Sequence, residues 1–179
     1  MPVKRVNTRV LVEAGVMIAL ASVLSMIKVY HAPQGGSVTA GSMVPVLVLA
    51  LRWGPRAGIL TGIAYGFVQQ LIEPFVVHPV QAILDYPVAF GVLGLTGFFR
   101  QSPALGCLVG ILGRFVAHVV SGLVFFASYT PAGSIPLVYS LVYNGSYLVP
   151  EVLISAVVIY FLSTSRVLQW GNAGEPHPG

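Results

Sequence analysis

Long apolar runs, separated by short polar or Gly/Pro-rich breaks, make up most of the chain. The runs cover residues 9–29, 43–51, 55–72, 79–99, 103–128 and 137–162. Most of them approach or exceed the ~20 residues that a helix needs to cross the hydrocarbon core of a bilayer, and the second run is short for a full crossing. The pattern predicts an all-α membrane protein with a single domain over residues 1–168. This domain is a bundle of six transmembrane helices, followed by a disordered tail over residues 169–179.

The composition agrees with a protein embedded in lipid. Of 179 residues, 56% are hydrophobic and only 8% are charged, whereas a soluble domain carries about 25% charged residues. Most basic residues lie at run ends on one side of the membrane, and Lys28 falls on the other. The residues of the majority side are Lys4, Arg5, Arg9, Arg52, Arg56, Arg100 and Arg166. Because cytoplasmic loops are rich in Lys and Arg, both termini are expected to be cytoplasmic.

Four glycines recur at a spacing of four residues in the third run. They are Gly54, Gly58, Gly62 and Gly66. On a helix this spacing forms one smooth stripe that allows close approach of a second backbone. The stripe predicts tight packing, either within this bundle or against a partner or a moving element.

One carboxylate, Asp85, lies inside the apolar segment Leu84–Phe90, which reads LDYPVAF. A charged side chain at bilayer depth costs at least ~2.5–3.5 kcal/mol and must face the bundle interior with a partner. Two partners are consistent with the sequence. One is a structural ion pair with Arg114, and the other is a polar or cationic ligand.

Other polar residues gather at a similar depth near the outer ends of the last two helices. Arg114 and His118 are four residues apart and share a helix face. The last run adds Tyr139, Tyr143, Asn144, Tyr147 and Glu151. One anion, several hydrogen-bonding groups and flat aromatic faces suit a heteroaromatic ligand that carries positive charge. Each residue also has a structural interpretation: a hydrogen-bonded core histidine, interfacial tyrosines, or a turn or helix-start asparagine. The last helix is expected to be interrupted at Pro150-Glu151, where Glu151 would satisfy the kinked backbone or pair with Arg114.

Several chemistries are not indicated by the sequence. A Walker A motif requires Gly-Lys, but the two lysines, Lys4 and Lys28, do not follow glycine. ATP-driven work would therefore need another subunit. Nucleophile-elbow and zinc-protease motifs are absent as well. We expect no metal, no cofactor and no enzymatic activity.

At these residues the sequence resembles a known family, the thiamine-specific substrate-binding (S) components of energy-coupling factor (ECF) transporters. The resemblance covers about Val10 to Leu162 and is most specific in three segments. These read LDYPVAF (84–90), GRFVAHVVSGLVFFASY (113–129) and YSLVYNG (139–145). It implies a six-helix subunit of the bacterial cell membrane. Such a subunit captures thiamine from outside and works with a membrane coupling subunit and two cytoplasmic ATPases.

The resemblance also implies which residues contact the ligand. By motif position these are Asp85, Tyr86, His118, Phe126, Tyr139 and Asn144. Asp85 stands where relatives can have Glu, Phe126 where a stacking Trp can occur, and the loop over residues 31–42 has no Trp. That loop is expected to act as a lid. Small residues on the first helix, here Gly15 and Ala19, would dock the coupling subunit.

Three alternative functions remain open at this point. The chain could bind another vitamin or a thiamine precursor such as a hydroxymethyl pyrimidine. It could be a solitary proton-coupled carrier that uses Asp85, His118 and Glu151 as a relay. It could also be an intramembrane enzyme with Asp85 and His118 as acid and base.

Overall fold

The computed structural model describes residues 7–165 and residue 168. These residues form six helices and one two-stranded hairpin. In chain order they are α1 (Thr8–Met26), β1 (Lys28–His31), β2 (Ser37–Thr39), α2 (Val44–Trp53), α3 (Pro55–Ile72), α4 (Pro79–Phe99), α5 (Pro103–Phe125) and α6 (Pro136–Thr164). The predicted six-helix bundle is confirmed. Within the described residues, α1, α4, α5 and α6 are long and apolar enough to cross a membrane. The predicted tail over residues 169–179 lies outside the described residues.

The short helix α2 is the centre of the bundle. Every residue from Val44 to Arg52 is buried, and α1, α3 and α4 all contact this helix. Because neighbouring helices surround α2, it does not need the length that a lipid-facing span requires. This explains why its apolar run is only about half as long as the others.

The glycine stripe of α3 packs against α4 inside the chain. A Cβ atom added at Gly58 would lie 2.9 Å from Gly94 Cα, and one added at Gly62 would lie 3.0 Å from Gly91 Cα. One added at Gly97 would meet the backbone of Gly54. Of the two interpretations of the stripe, the structure therefore supports packing within the bundle.

The glycines on α4 are three residues apart, whereas those on α3 are four apart, and the helix types reconcile the two spacings. The segment Val92–Phe99 of α4 is a 3₁₀ helix. Three residues of 3₁₀ helix rise about 6 Å, as do four residues of α-helix. The antiparallel pairs of glycines therefore stay in register along the whole contact, which we call the glycine zipper.

The structure corrects two helix ends and two other features expected from the sequence. The first helix ends at Met26, and residues 28–29, expected to be helical, belong to β1. The fifth ends at Phe125, before residue 128. The sixth was expected to be interrupted at Pro150 but is continuous. The segment over residues 31–42 was expected to be a loop, but part of it pairs with residues 28–31 as an antiparallel hairpin.

Charged side chains tie the helices together at the two ends of the bundle. At one end, Arg52 and the indole N–H of Trp53 both donate to the carboxylate of Glu13, at 3.0 and 2.7 Å. Arg100 donates to the backbone oxygen of Arg52 at this same end. At the other end, Lys28 pairs with Glu73. Arg52 and Arg100 thus lie together at one end of the bundle, the end that the Lys/Arg distribution predicts to be cytoplasmic.

Candidate ligand-binding site

A cavity of about 130 Å³ lies beneath the hairpin, between α3, α4, α5 and α6. An apolar cavity of about 150 Å³ holds one benzene-sized ring, so the space suits a single aromatic ring. All six residues that the sequence assigned to the ligand line this cavity: Asp85, Tyr86, His118, Phe126, Tyr139 and Asn144. Arg114, Tyr143 and Tyr147 line it too. The structure therefore brings them together, and their contact with a ligand remains a prediction.

Asp85 projects from a local irregularity in α4. Residues Leu84–Val88 form one π-helical turn that contains Pro87. Proline has no N–H and cannot continue the α-helical hydrogen-bond ladder, which accounts for the wider turn at this position. Turns of this kind are frequent at functional sites because they re-aim side chains.

Asp85 and Arg114 are joined through His118 in this structure. His118 Nδ1 lies 3.0 Å from Asp85 Oδ1, and Arg114 Nε donates to His118 Nε2 at 3.2 Å. The Arg114 guanidinium also lies over the ring of Phe90, with Cζ 4.0 Å from the ring centre. The side chains of Asp85 and His118 are 14% and 12% exposed. The carboxylate therefore belongs to a buried polar network and still borders the cavity.

Aromatic faces form one wall of the cavity. The rings of Phe75 and Phe126 stack, with centres 5.9 Å apart and planes 23° apart. Tyr139 lies beside Tyr143, at 6.0 Å between ring centres. The hydroxyl of Tyr86 is already engaged by the segment after α3, since it donates to Glu73 O and accepts from Phe75 N. The ring of Tyr86 is therefore available to a ligand, whereas its hydroxyl is already hydrogen-bonded.

Asn144 lies within α6, so the structure does not place it in a turn or at a helix start. Its Nδ2 donates to Ser140 O at 2.9 Å, and its Oδ1 accepts from the Tyr147 hydroxyl at 2.6 Å. Tyr147 is 3% exposed, so it is a core residue and not an interfacial tyrosine. A ligand that bonds to Asn144 would have to exchange with these internal partners.

The tip of the hairpin closes the outer side of the cavity. The Tyr143 hydroxyl donates to Gly35 O at 2.7 Å and accepts from Gln34 N at 2.9 Å. Gly36 has a positive φ of 84°, and a Cβ atom there would lie 2.6 Å from the Tyr147 ring. Only glycine combines this backbone conformation with so close a contact. The hairpin tip is thus fitted to the tyrosines of α6.

A second set of contacts holds the stem of the hairpin through Glu73, which follows α3. Lys28 Nζ lies 2.5 Å from one carboxylate oxygen, and His31 Nε2 lies 2.8 Å from the other. Partial burial by itself would raise the pKa of Glu73, but hydrogen bonds and charges from Lys28 and His31 outweigh it and lower the pKa. We call these three residues the hairpin latch.

Glu151 lies apart from the cavity lining. It is 2% exposed, and its Oε1 accepts from both the amide and the hydroxyl of Thr39 in β2, at 2.5 and 2.6 Å. Its expected roles were to satisfy kinked backbone or to pair with Arg114. The structure instead shows it holding the base of the hairpin.

Several residues that line the cavity were missed by the sequence reasoning, among them Gln69, Glu73, Phe75, Gln81 and Ser121. Gln81 and Ser121 contact Asp85 directly. A signal existed for Gln81, because it precedes Asp85 by four residues and Gln–Asp pairs at this spacing face each other on a helix. Within the described residues, no group of three or more His, Cys, Asp or Glu side chains could hold a metal ion.

Comparison with known proteins shows to which family this chain belongs. Residues 11–169 match the family model described as thiamine transporter protein. The chain belongs to this family. It is 38% identical over 184 residues to the thiamine transporter ThiT of Bacillus subtilis, covering 91% of this chain and 95% of that protein. It is 27% identical to the ThiT of Lacticaseibacillus paracasei, covering 87% of each.

A solved structure of a family member has the same fold. The structure of ThiT from Listeria monocytogenes superimposes with a TM-score of 0.80 at 27% identity, covering 90% of this chain and 98% of that one. Family membership and the four long apolar helices make this chain a multi-pass membrane transport protein.

Proposed function

We propose that this chain is the thiamine-binding S component of an ECF-type importer and acts by binding, without chemical change of its ligand. The observation that carries the proposal is the position of Asp85. A carboxylate borders a ring-sized cavity walled by aromatic faces, in a chain of the thiamine transporter family. Thiamine supplies the complementary groups, since it joins an aminopyrimidine to a cationic thiazolium.

Binding would use three kinds of contact. Asp85 would accept from the amino group of the pyrimidine or face the cation. Phe126 and Tyr139 would lie against ring faces, where stacking and cation–π attraction act. His118 and Asn144 would read ring edges, directly or through the partners that they hold now.

The hairpin would act as the lid. Because the cavity has the volume of about one ring, a two-ring ligand needs the tip at Gln34–Gly36 to move. Closure of a lid sequesters the ligand and sets its rate of release. Tyr143→Phe, which removes the hydroxyl that bonds to Gln34 and Gly35, should therefore release bound thiamine faster, and unchanged release from this variant would contradict the lid role.

Transport would require partners for energy. On α1, Gly15 and Ala19 are exposed, and an added Cβ at Gly15 meets nothing within 4 Å. An open small-residue pair allows another helix to approach closely, as docking of a membrane coupling subunit with two ATPases requires. Gly15 and Ala19 lie two and six residues after Glu13, within two helical turns of it, towards the end rich in basic residues.

Competition binding with the purified chain tests the ligand class. Radiolabelled thiamine is bound to the chain first. Unlabelled thiamine, the hydroxymethyl pyrimidine precursor or riboflavin is then added as a competitor. We expect thiamine to compete best, and stronger competition by either of the other two would redirect the assignment. Uptake by this chain alone in vesicles with a proton gradient would instead support the solitary carrier.

A further inference from the structure

One oxygen of the Asp85 carboxylate is fully occupied by donors from the chain itself. Oδ2 accepts from Gln81 Nε2 at 2.7 Å and from Ser121 Oγ at 2.9 Å. An ionised carboxylate has about four acceptor positions, two on each oxygen. Both positions of Oδ2 are therefore filled, one from α4 and one from α5.

The other oxygen, Oδ1, keeps one position open. It faces His118 Nδ1 at 3.0 Å. The proton of His118 is on Nδ1, because Nε2 accepts from Arg114 Nε and a guanidinium has no acceptor. His118 Nδ1–H thus fills one position of Oδ1, and the remaining one is available on a side chain that lines the cavity.

Gln81 is fixed so that only its N–H groups face Asp85. Its Nε2 also donates to Phe75 O at 3.0 Å, and its Oε1 accepts from Val77 N at 2.9 Å. Rotation of the amide by 180° would place its oxygen against two acceptors. With 1% of its surface exposed, Gln81 is a buried brace between Asp85 and the segment that follows α3.

We propose that Gln81 and Ser121 are positioning residues that restrict Asp85 to accepting one N–H from the ligand, at Oδ1. This inference rests on the proposed function and specifies its selectivity. The favoured ligand carries an amino group on its aromatic ring. An analogue with a carbonyl oxygen at that position would set two acceptors against each other, and sites built around one hydrogen bond reject such analogues strongly.

The test compares thiamine with the analogue in which a carbonyl oxygen replaces the pyrimidine amino group. Both are titrated into the full chain and into Gln81→Leu and Ser121→Ala. The parent should prefer thiamine by about 100-fold or more. Each variant should bind thiamine about 10-fold more weakly, as expected when a charged group loses one hydrogen bond. The affinity for the analogue should fall less than the affinity for thiamine. Once Asp85 has lost one of its donors, its carboxyl group can carry a proton and donate it to the carbonyl oxygen of the analogue.

The decisive readout is the ratio of the two affinities, which a general loss of stability does not change. Thr96→Val is the matched control, because Thr96 is fully buried and donates to Gly106 O at 2.8 Å, away from the cavity. Its affinity ratio should equal that of the parent. If Gln81→Leu does not fold, Ser121→Ala tests the same oxygen from α5. A parent-like ratio in the folded variants would overturn the inference alone, whereas a folded parent that does not bind thiamine would contradict the proposed function itself.

Discussion

At the scale of single residues, the two carboxylates within α4 and α6 have different surroundings. Asp85 has side-chain partners on both oxygens and faces the cavity. Glu151 is enclosed, and its Oε1 accepts from Thr39 whereas its Oε2 has no hydrogen-bond partner among the described residues. One carboxylate is therefore a candidate ligand group, and the other is a structural tie to the hairpin.

The role of Glu151 leads to a prediction about stability. Glu151→Gln keeps an acceptor oxygen for Thr39, so its melting temperature should stay close to that of the parent. Glu151→Leu leaves the buried amide of Thr39 without an acceptor, whereas the Thr39 hydroxyl can still donate to Ser42 Oγ, and it should cost about 1–3 kcal/mol for the unsatisfied amide. Thermal unfolding in detergent measures both. Equal losses in the two variants would mean that the acceptor oxygen is not what matters.

Sequence reasoning found Asp85, Arg114 and most of the tyrosines of the site, but it missed Gln81 and Ser121 beside Asp85. Asp85 and Arg114 stand out because a charge in an apolar run needs an explanation. A serine or glutamine in such a run carries no comparable cost, so Ser121 resembles a packing residue until its neighbours are known. Phe75 was missed because it lies between helices, where no periodicity assigns a face.

At the scale of elements, the glycine zipper between α3 and α4 sets how closely the two helices approach. The sequence predicted α3 and α4 with the bounds that the structure has, and it predicted a close helix contact. It did not predict the 3₁₀ form of Val92–Phe99, because α-helices and 3₁₀ helices are built from similar residue types. The spacing of three between Gly91, Gly94 and Gly97 was the only signal.

The zipper predicts unequal effects of two glycine substitutions. In Gly94→Ala the new Cβ would collide with backbone atoms of Gly58 and Ile59, which should cost about 1–3 kcal/mol or more. Gly145→Ala is the matched control on α6, where nothing lies within 4 Å. It should be neutral or gain up to about 1 kcal/mol of helix propensity. Unfolding midpoints that fall equally for both would contradict the zipper.

The hairpin could not be predicted because its first strand shows no pattern of buried and exposed residues. Lys28 pairs with Thr39 and His31 with Ser37, and all four residues of β1 are exposed. Such a strand has no buried face, so its side chains show no alternation along the sequence.

The hairpin latch predicts a pH dependence of ligand release. The pKa of Glu73 is lowered in the folded chain, so its stabilisation is complete above the unfolded value of about 4.3 and is lost as the pH falls through the folded pKa. Thiamine release should therefore become faster in acid, once the pH falls below the ordinary carboxylate value of about 4.3 and Glu73 takes up a proton. Glu73→Gln should release up to about fivefold faster at neutral pH, the range for partly exposed ion pairs. Parent-like release from this variant would exclude the latch.

At the scale of the whole molecule, the hairpin covers one end of the bundle and α1 presents an exposed face. The match covers 95% and 87% of the two curated relatives and 98% of the solved structure. The bundle is therefore a shared architecture. The bundle follows from the apolar runs alone. The surface of α1 could be assigned to a partner only through the family resemblance, because an exposed apolar helix face is ordinary in lipid.

Docking on α1 predicts a variant that separates binding from transport. Gly15→Leu should leave unfolding and thiamine affinity unchanged, because Gly15 is exposed and a Cβ atom added there meets nothing within 4 Å. It should abolish co-purification with the coupling subunit, since helix contacts at small residues do not accommodate a large side chain. Val124→Leu, 65% exposed on α5, is the control. Retained complex with Gly15→Leu would move the docking site elsewhere.

The central claim is that Asp85 forms the core of a thiamine site. Calorimetric titration of the purified chain with thiamine, beside Asp85→Ala, tests it most directly. We predict tight one-to-one binding to the parent, and a loss of about 100-fold or more in the variant because a buried charged partner is removed. Parent-like affinity in Asp85→Ala would move the site away from α4, and absence of heat from a folded parent would contradict thiamine as the ligand.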